Sequence, residues 1–154
     1  MTDNLILFSK FANSFNKNDE TQTASLHDIQ LLENTFGIKL PEDFKLFVIN
    51  YGNLWTPDIL DIIVDNDMDI NDVQQIWTID EIIEDKISGV SEQIKENLIP
   101  FASDCTGNIY AFKSSDIKKE KLMAKVYFFD LDLDKLYPVA NSFTDLIEEF
   151  NSLI

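Results

Sequence analysis

The chain predicts an α+β fold: N-terminal helices, a central, mainly antiparallel sheet, and a C-terminal helix packed on it. Phenylalanines recur at helical spacing through the first third, and β-branched and aromatic runs separated by turn residues fill the second half. A serine-led amphipathic segment then closes the chain. At 154 residues, 45% hydrophobic and 12% aromatic, the sequence has apolar material for a sizeable core, and a single domain over residues 1–154 is expected.

Leu5, Phe8, Phe11 and Phe15 fall on one face of a helix over residues 4–16. A polar stretch from Asn16 to Ala24 breaks that pattern. Ser25 and Asp28 then form a capping box for a helix whose Leu26, Ile29, Leu32 and Phe36 share a face, with Gly37 as its stop. Pro41 at a first helical position, followed by Glu42 and Asp43 at the positive end of the dipole, opens a third helix. Its Phe44, Phe47, Val48 and Tyr51 fall at i, i+3, i+4 and i+7, ahead of Gly52.

Beyond Gly52 the β-branched run Ile59, Ile62, Ile63 and Val64 reads as a strand, and Val73, Ile76 and Trp77 as another. Thr78 and Glu81 make a second capping box, for a short helix on Ile79, Ile82 and Ile83. Val90, Ile94 and Leu98 suggest one more helix. Strand signals return at Ile99–Ala102, Asn108–Phe112, Val126–Phe129 and Leu136–Ala140, with Asp104-Cys105-Thr106-Gly107 as the turn joining the first two. Ser142 caps a final helix with Phe143, Leu146, Ile147 and Phe150 inward.

Charge is the strongest functional signal. Net charge is -16, and the stretch Leu46–Asp85 holds ten acidic residues with no lysine. All 12 basic residues of the chain are lysines; arginine is absent. Such a field repels nucleic acid and anionic membranes and attracts basic partners. The lack of guanidinium forks also removes the usual means of bidentate phosphate or base recognition. Compositional bias toward Ile, Asn, Asp and Lys accounts for the missing arginine, but it leaves the acidic excess unexplained because lysine remained available.

Several chemistries find no support. Asp65-x-Asp67-x-Asp69 begins like a calcium loop, yet Ile70 and Ile76 occupy the places of the required Gly and bidentate Glu. Asp130-x-Asp132-x-Asp134 fails in the same way at Lys135 and Asn141, and its alternation with Phe129, Leu131 and Leu133 fits a strand leaving the sheet. His27 and Cys105 are the only residues of their types and read as an exposed helical histidine and a turn residue. The four glycines are scattered, so no phosphate-cradling loop exists. Leu5-Ile6-Leu7-Phe8 follows Asp3 and is interrupted by Ser9 and Lys10, unlike a secretory signal, and no run approaches a membrane span, which makes the cytoplasm the expected compartment. Trp55 and Trp77, with Tyr51, border the acidic stretch as either half-buried core rings or anchors for a basic partner.

The ordered motifs resemble a known family. Leu40-Pro41-Glu42-Asp43-Phe44-Lys45-Leu46-Phe47 followed by Asn50-Tyr51-Gly52 is similar to the signature helix of the SUKH superfamily, shared by a fungal cell-wall regulator domain and many bacterial immunity proteins. Ile99-Pro100-Phe101-Ala102-Ser103-Asp104 with Gly107-Asn108 resembles its hairpin, and Val126-Tyr127-Phe128-Phe129-Asp130 its next strand. Pro138-Val139-Ala140 with Ser142-Phe143 and Leu146-Ile147 is similar to its closing strand and helix. The resemblance implies a protein-binding domain without catalytic or cofactor-binding residues, and for bacterial members of this size an immunity protein neutralising a toxin, often a nuclease. Partner choice is implied for the region between Gly52 and Ile99, which here is the acidic one. The expectation is therefore an immunity protein for a basic toxin, with Asp58, Asp65, Asp67, Asp69 and Asp72 in the contact, joined by Trp55 and Asp104. No metal, cofactor, nucleic acid or membrane partner is expected, and the alternative is a regulatory or scaffold domain. Oligomeric state and toxin identity are not legible.

Overall fold

The computed structural model describes residues 2–88 and 97–154. Its elements in chain order are α1 (Thr2–Phe15), α2 (Leu26–Phe36), α3 (Glu42–Asn50), β1 (Leu54–Trp55), α4 (Asp58–Asp65) and β2 (Gln75–Ile76). They continue with α5 (Ile79–Ser88), β3 (Leu98–Ser103), β4 (Ile109–Lys113), β5 (Val126–Asp130), β6 (Lys135–Ala140) and α6 (Phe143–Asn151). The chain thus adopts the expected α+β class. Its strands form one antiparallel sheet in the order β1-β2-β3-β4-β5-β6.

Side chains along a strand alternate between faces, so the register sorts the sheet into cross-strand rows. Leu54, Ile76, Ala102, Tyr110, Phe128 and Tyr137 stand opposite one another on the inner face, and all but Tyr137 are buried. The neighbouring row, Trp55, Gln75, Ser103, Ile109, Phe129 and Leu136, belongs to the outer face. It changes from exposed at Trp55 and Gln75 to buried at Ile109 and Phe129.

The inner face meets α1, α3 and α6 through phenylalanine rings. Phe8 lies 5.3 Å from Phe47, Phe47 lies 5.0 Å from Phe143, and Phe44 lies 5.1 Å from both Phe143 and Phe101. Edge-on and tilted pairs of this kind add about 0.5–1.5 kcal/mol each beyond the area they bury. Pro100 lacks the donor that a ladder needs, and β3 accommodates it beside a bulge between Pro100 and Ala102.

The expected caps are all present. Ser25 Oγ accepts the Asp28 N–H at 3.1 Å while Asp28 Oδ2 accepts the Ser25 N–H at 3.0 Å. Thr78 and Glu81 exchange the same two bonds at 3.0 Å, and Ser142 Oγ accepts the Asp145 N–H at 2.9 Å. Pro41 stands one position earlier than expected, at the N-cap of α3. Gly52 has φ +69°, and a Cβ there would run into the Gln22 carbonyl, so only glycine lets the polar stretch pass so close.

Four expectations are corrected. Residues 59–64 lie in α4, not in a strand: Ile59 and Ile63 are one turn apart and buried, and Asp58 and Asp61 favour the first turn of a helix. Helical spacing outweighs the β-branched preference, which is weak without a sheet to pack on. Leu26 is exposed, because the buried face of α2 runs through Ile29 and Leu32. Leu98 begins β3, while Val90 and Ile94 of the helix suggested there lie outside the described residues. Of the Asp130–Asp134 run, only Asp130 belongs to a strand, and the rest forms the β5–β6 turn.

Candidate functional site

The acidic stretch folds into the end of α3, β1, α4, the 66–74 loop, β2 and most of α5. Asp58 opens α4, and its Oδ2 lies 3.4 Å from Lys17 Nζ, a half-exposed pair of small energetic weight. Asp65 ends α4, Asp67 and Asp69 follow in the loop, and all three are exposed. None of the three makes an ion pair with a described residue. Asp67 takes φ +50°, a left-handed turn conformation that aspartate tolerates better than most side chains. Val64, 67% exposed, and Met68, 39% exposed, stand between these carboxylates as apolar contact points.

Asp72 does not share that surface. It is 6% exposed, its Oδ2 accepts the Cys105 N–H at 3.2 Å, and its carbonyl accepts the Tyr110 hydroxyl at 2.8 Å. Burial, then the Asp104 carboxylate, raises its pKa above the ordinary range. Asp104 is equally committed: Oδ1 accepts the N–H groups of Thr106 and Asn108 at 2.9 Å and the Thr106 hydroxyl at 3.0 Å, while Oδ2 accepts Asn108 Nδ2 at 3.0 Å. Asp72 holds the β3–β4 turn against the 66–74 loop while Asp104 closes that turn on itself, and both contribute negative field more than direct contact. Partial burial and the Asp72 carboxylate raise the Cys105 thiol, the opposite of what a nucleophilic cysteine requires.

A groove on the outer sheet face has no counterpart among the sequence expectations. Glu81, Glu84 and Asp85 lie at i, i+3 and i+4 along α5 and therefore share one side of it. With Gln75, Trp77, Ser103, Gly107 and Ile109 they line an open cavity of about 440 Å³, within the range of ligand-binding clefts. Trp77 is half-buried, and its Nε1–H donates to Ser103 Oγ at 3.3 Å, which fixes the ring on the sheet. A smaller cavity of about 100 Å³ adjoins it, bordered by Trp55 and sharing Gln75 and Glu81. Trp55 is 42% exposed and stands in the same outer row as Gln75, Ser103 and Ile109. The sequence signal for this groove is the α5 acidic face, but locating it requires the register of strands only two residues long.

Among the described residues, no three His, Cys, Asp or Glu side chains are placed to hold a metal ion. No described helix is long and apolar enough to cross a membrane.

A model of the SMI1 / KNR4 family (SUKH-1) matches residues 23–149. The chain belongs to the SUKH-1 family. No curated protein matches it in sequence. Membership is consistent with a protein-interaction domain of the immunity-like or regulatory kind.

Within this SUKH-1 fold the motif residues have structural work. Lys45 Nζ lies 3.1 Å from Glu33 Oε2 and 3.2 Å from Glu42 Oε1, and the same Glu33 oxygen accepts the Leu40 N–H at 2.8 Å. Burial alone would lower the Lys45 pKa, but Glu33 and Glu42 more than offset it and raise it. The Pro41–Lys45 segment is thereby locked onto α2, and the Asp104–Asn108 motif is a self-bonded turn. The exposed carboxylates of α4, the 66–69 segment and α5 all lie outside the motif residues.

Proposed function

We propose that this SUKH-1 protein is a non-enzymatic immunity protein that acts in the cytoplasm and neutralises a basic toxin by electrostatic and steric occlusion. The observation that carries this reading is the acidic stretch itself, ten carboxylates without a lysine from Leu46 to Asp85. Asp65, Asp67, Asp69, Asp80, Glu81 and Glu84 are all exposed, so the charge faces solvent instead of being spent on internal pairs. Nuclease toxins act on polyanions and carry basic surfaces, and carboxylates around exposed Trp55, Val64 and Met68 suit such a surface by speeding encounter and fixing orientation. Asp58 and Trp55 remain in the proposed contact; Asp72 and Asp104 support it from behind.

The test is co-expression with the product of the adjacent upstream gene, scoring survival. Wild type should rescue, and the folded Asp65→Asn/Asp67→Asn/Asp69→Asn variant should not. Rescue by both keeps immunity and moves the interface away from α4. Failure of wild type to rescue against a demonstrably toxic neighbour removes that toxin as the cognate one and favours a regulatory role.

A further inference from the structure

We infer that the outer-face groove between α5 and β2–β4 is a docking site for a lysine or arginine side chain on an extended basic segment of a protein partner. The inference rests on the basic-partner reading above and adds the place and mode of capture.

Three features of the groove converge on a cationic occupant. The first is the indole of Trp77, which lines the cavity while its N–H is held by Ser103 Oγ at 3.3 Å. A ring fixed by its edge offers a stationary π-face, the surface on which ammonium and guanidinium groups settle. The second is charge. Glu81, Glu84 and Asp85 line the same cavity, and among the described residues that line it none is a lysine. Glu81 spends Oε1 on the Thr78 N–H at 3.0 Å, which anchors the side chain, and its other oxygen accepts from no described residue. The third is shape: the smaller cavity beside Trp55 shares Gln75 and Glu81 with this one, and Trp55, Gln75, Ser103 and Ile109 follow one another across the strands. Two neighbouring cavities along one cross-strand row suit an extended chain crossing the sheet face better than a compact small molecule. Gln75, exposed on the floor shared by both cavities, can bond the backbone of such a segment.

The chain has two tryptophans, so a Trp55→Phe variant leaves Trp77 as the sole indole reporter. This variant is titrated with a short arginine- and lysine-rich peptide and with the same peptide carrying glutamine at every basic position. The basic peptide should change Trp77 emission saturably, and the glutamine peptide should not. Adding Glu81→Gln and Glu84→Gln should weaken binding roughly tenfold or more, since glutamine preserves the capping box while removing both counter-charges. Glu148→Gln with Glu149→Gln removes the same charge from the exposed side of α6, across the sheet from the groove, and should change affinity less than about twofold. Equal losses in the two charge-matched pairs would overturn the groove in favour of a diffuse acidic field. A saturable response to the glutamine peptide would overturn the cationic occupant. Because no toxin enters this assay, failed rescue in the survival experiment bears on the immunity reading alone, and a flat titration bears on the groove alone.

Discussion

At the residue scale, buried carboxylates behave differently from the exposed ones around them. Asp72 is held above its ordinary pKa by burial and by Asp104, so its proton is bound more tightly in the folded chain than in the unfolded one. Stability from such a group is fully present below the unfolded carboxylate pKa, about 3.9, and is lost as pH rises through the folded value. Asp72→Asn keeps an acceptor for the Cys105 N–H and removes the charge. Urea midpoints of the two proteins should therefore drift apart in favour of the variant as pH rises from about 4, then run parallel. Drift in the opposite sense would show that the folded state prefers the carboxylate. Nothing in the sequence separates Asp72 from Asp69 or Asp67. The difference comes from Tyr110 and the Cys105 N–H, which approach from β4 and a turn more than thirty positions away.

At the element scale, helix ends are the most legible part of the fold, because a cap is a local chemical arrangement written within four residues. Ser25 with Asp28, Thr78 with Glu81, and Ser142 all fall where their side chains predict. The helix α4 is lost when residue type is weighed above spacing, although Ile59 and Ile63 already stand one turn apart. Strands β1 and β2, at two residues each, carry almost no periodic signal and exist because β3 pairs with β2 and β2 in turn with β1. Their shortness also hides the outer-face row, and with it the groove. A further link joins elements distant in sequence. Asp43 Oδ2, in the first turn of α3, accepts both the N–H and the hydroxyl of Thr144 at the start of α6, at 2.9 and 2.8 Å, while Oδ1 accepts the Phe44 N–H at 2.9 Å. Asp43→Ala leaves these donors without an acceptor and should cost about 2–3 kcal/mol in chemical denaturation. Asp43→Asn, which can still accept, should cost clearly less. Equal costs would place the loss in charge and not in hydrogen bonding.

At the scale of the whole molecule, a net charge of -16 works against compaction. Raising salt from about 0.01 M to about 0.15 M shortens the Debye length from roughly 30 Å to roughly 8 Å, so the thermal midpoint should rise over that range. A falling midpoint would mean that attractive pairs dominate. The charge is also unevenly distributed. In the antiparallel meander, the β3–β4 turn, the β5–β6 turn and the 66–74 loop gather near one end of the strands, bringing Asp104, Asp132, Asp134 and Asp69. The β4–β5 connection lies at the other end and carries Lys118, Lys119, Lys121 and Lys125, all exposed, against Asp116 and Glu120. Lys39, Glu42 and Asp43 donate backbone N–H groups to its Ile117, Lys121 and Leu122 carbonyls, fixing it to the start of the helix layer. Among the described residues the two ends of the strands therefore differ in charge, and a charged body approaching such an asymmetric surface exerts a torque on it as well as a pull. Tumbling over the last nanometres of an encounter would be biased to bring the carboxylate end round first. Exchanging Lys118 and Lys119 for glutamine together with Asp132 and Asp134 for asparagine leaves the net charge fixed and shrinks the charge difference between the two ends, so association should slow with dissociation unchanged. Residues far from any contact then help to decide how often a collision becomes a complex.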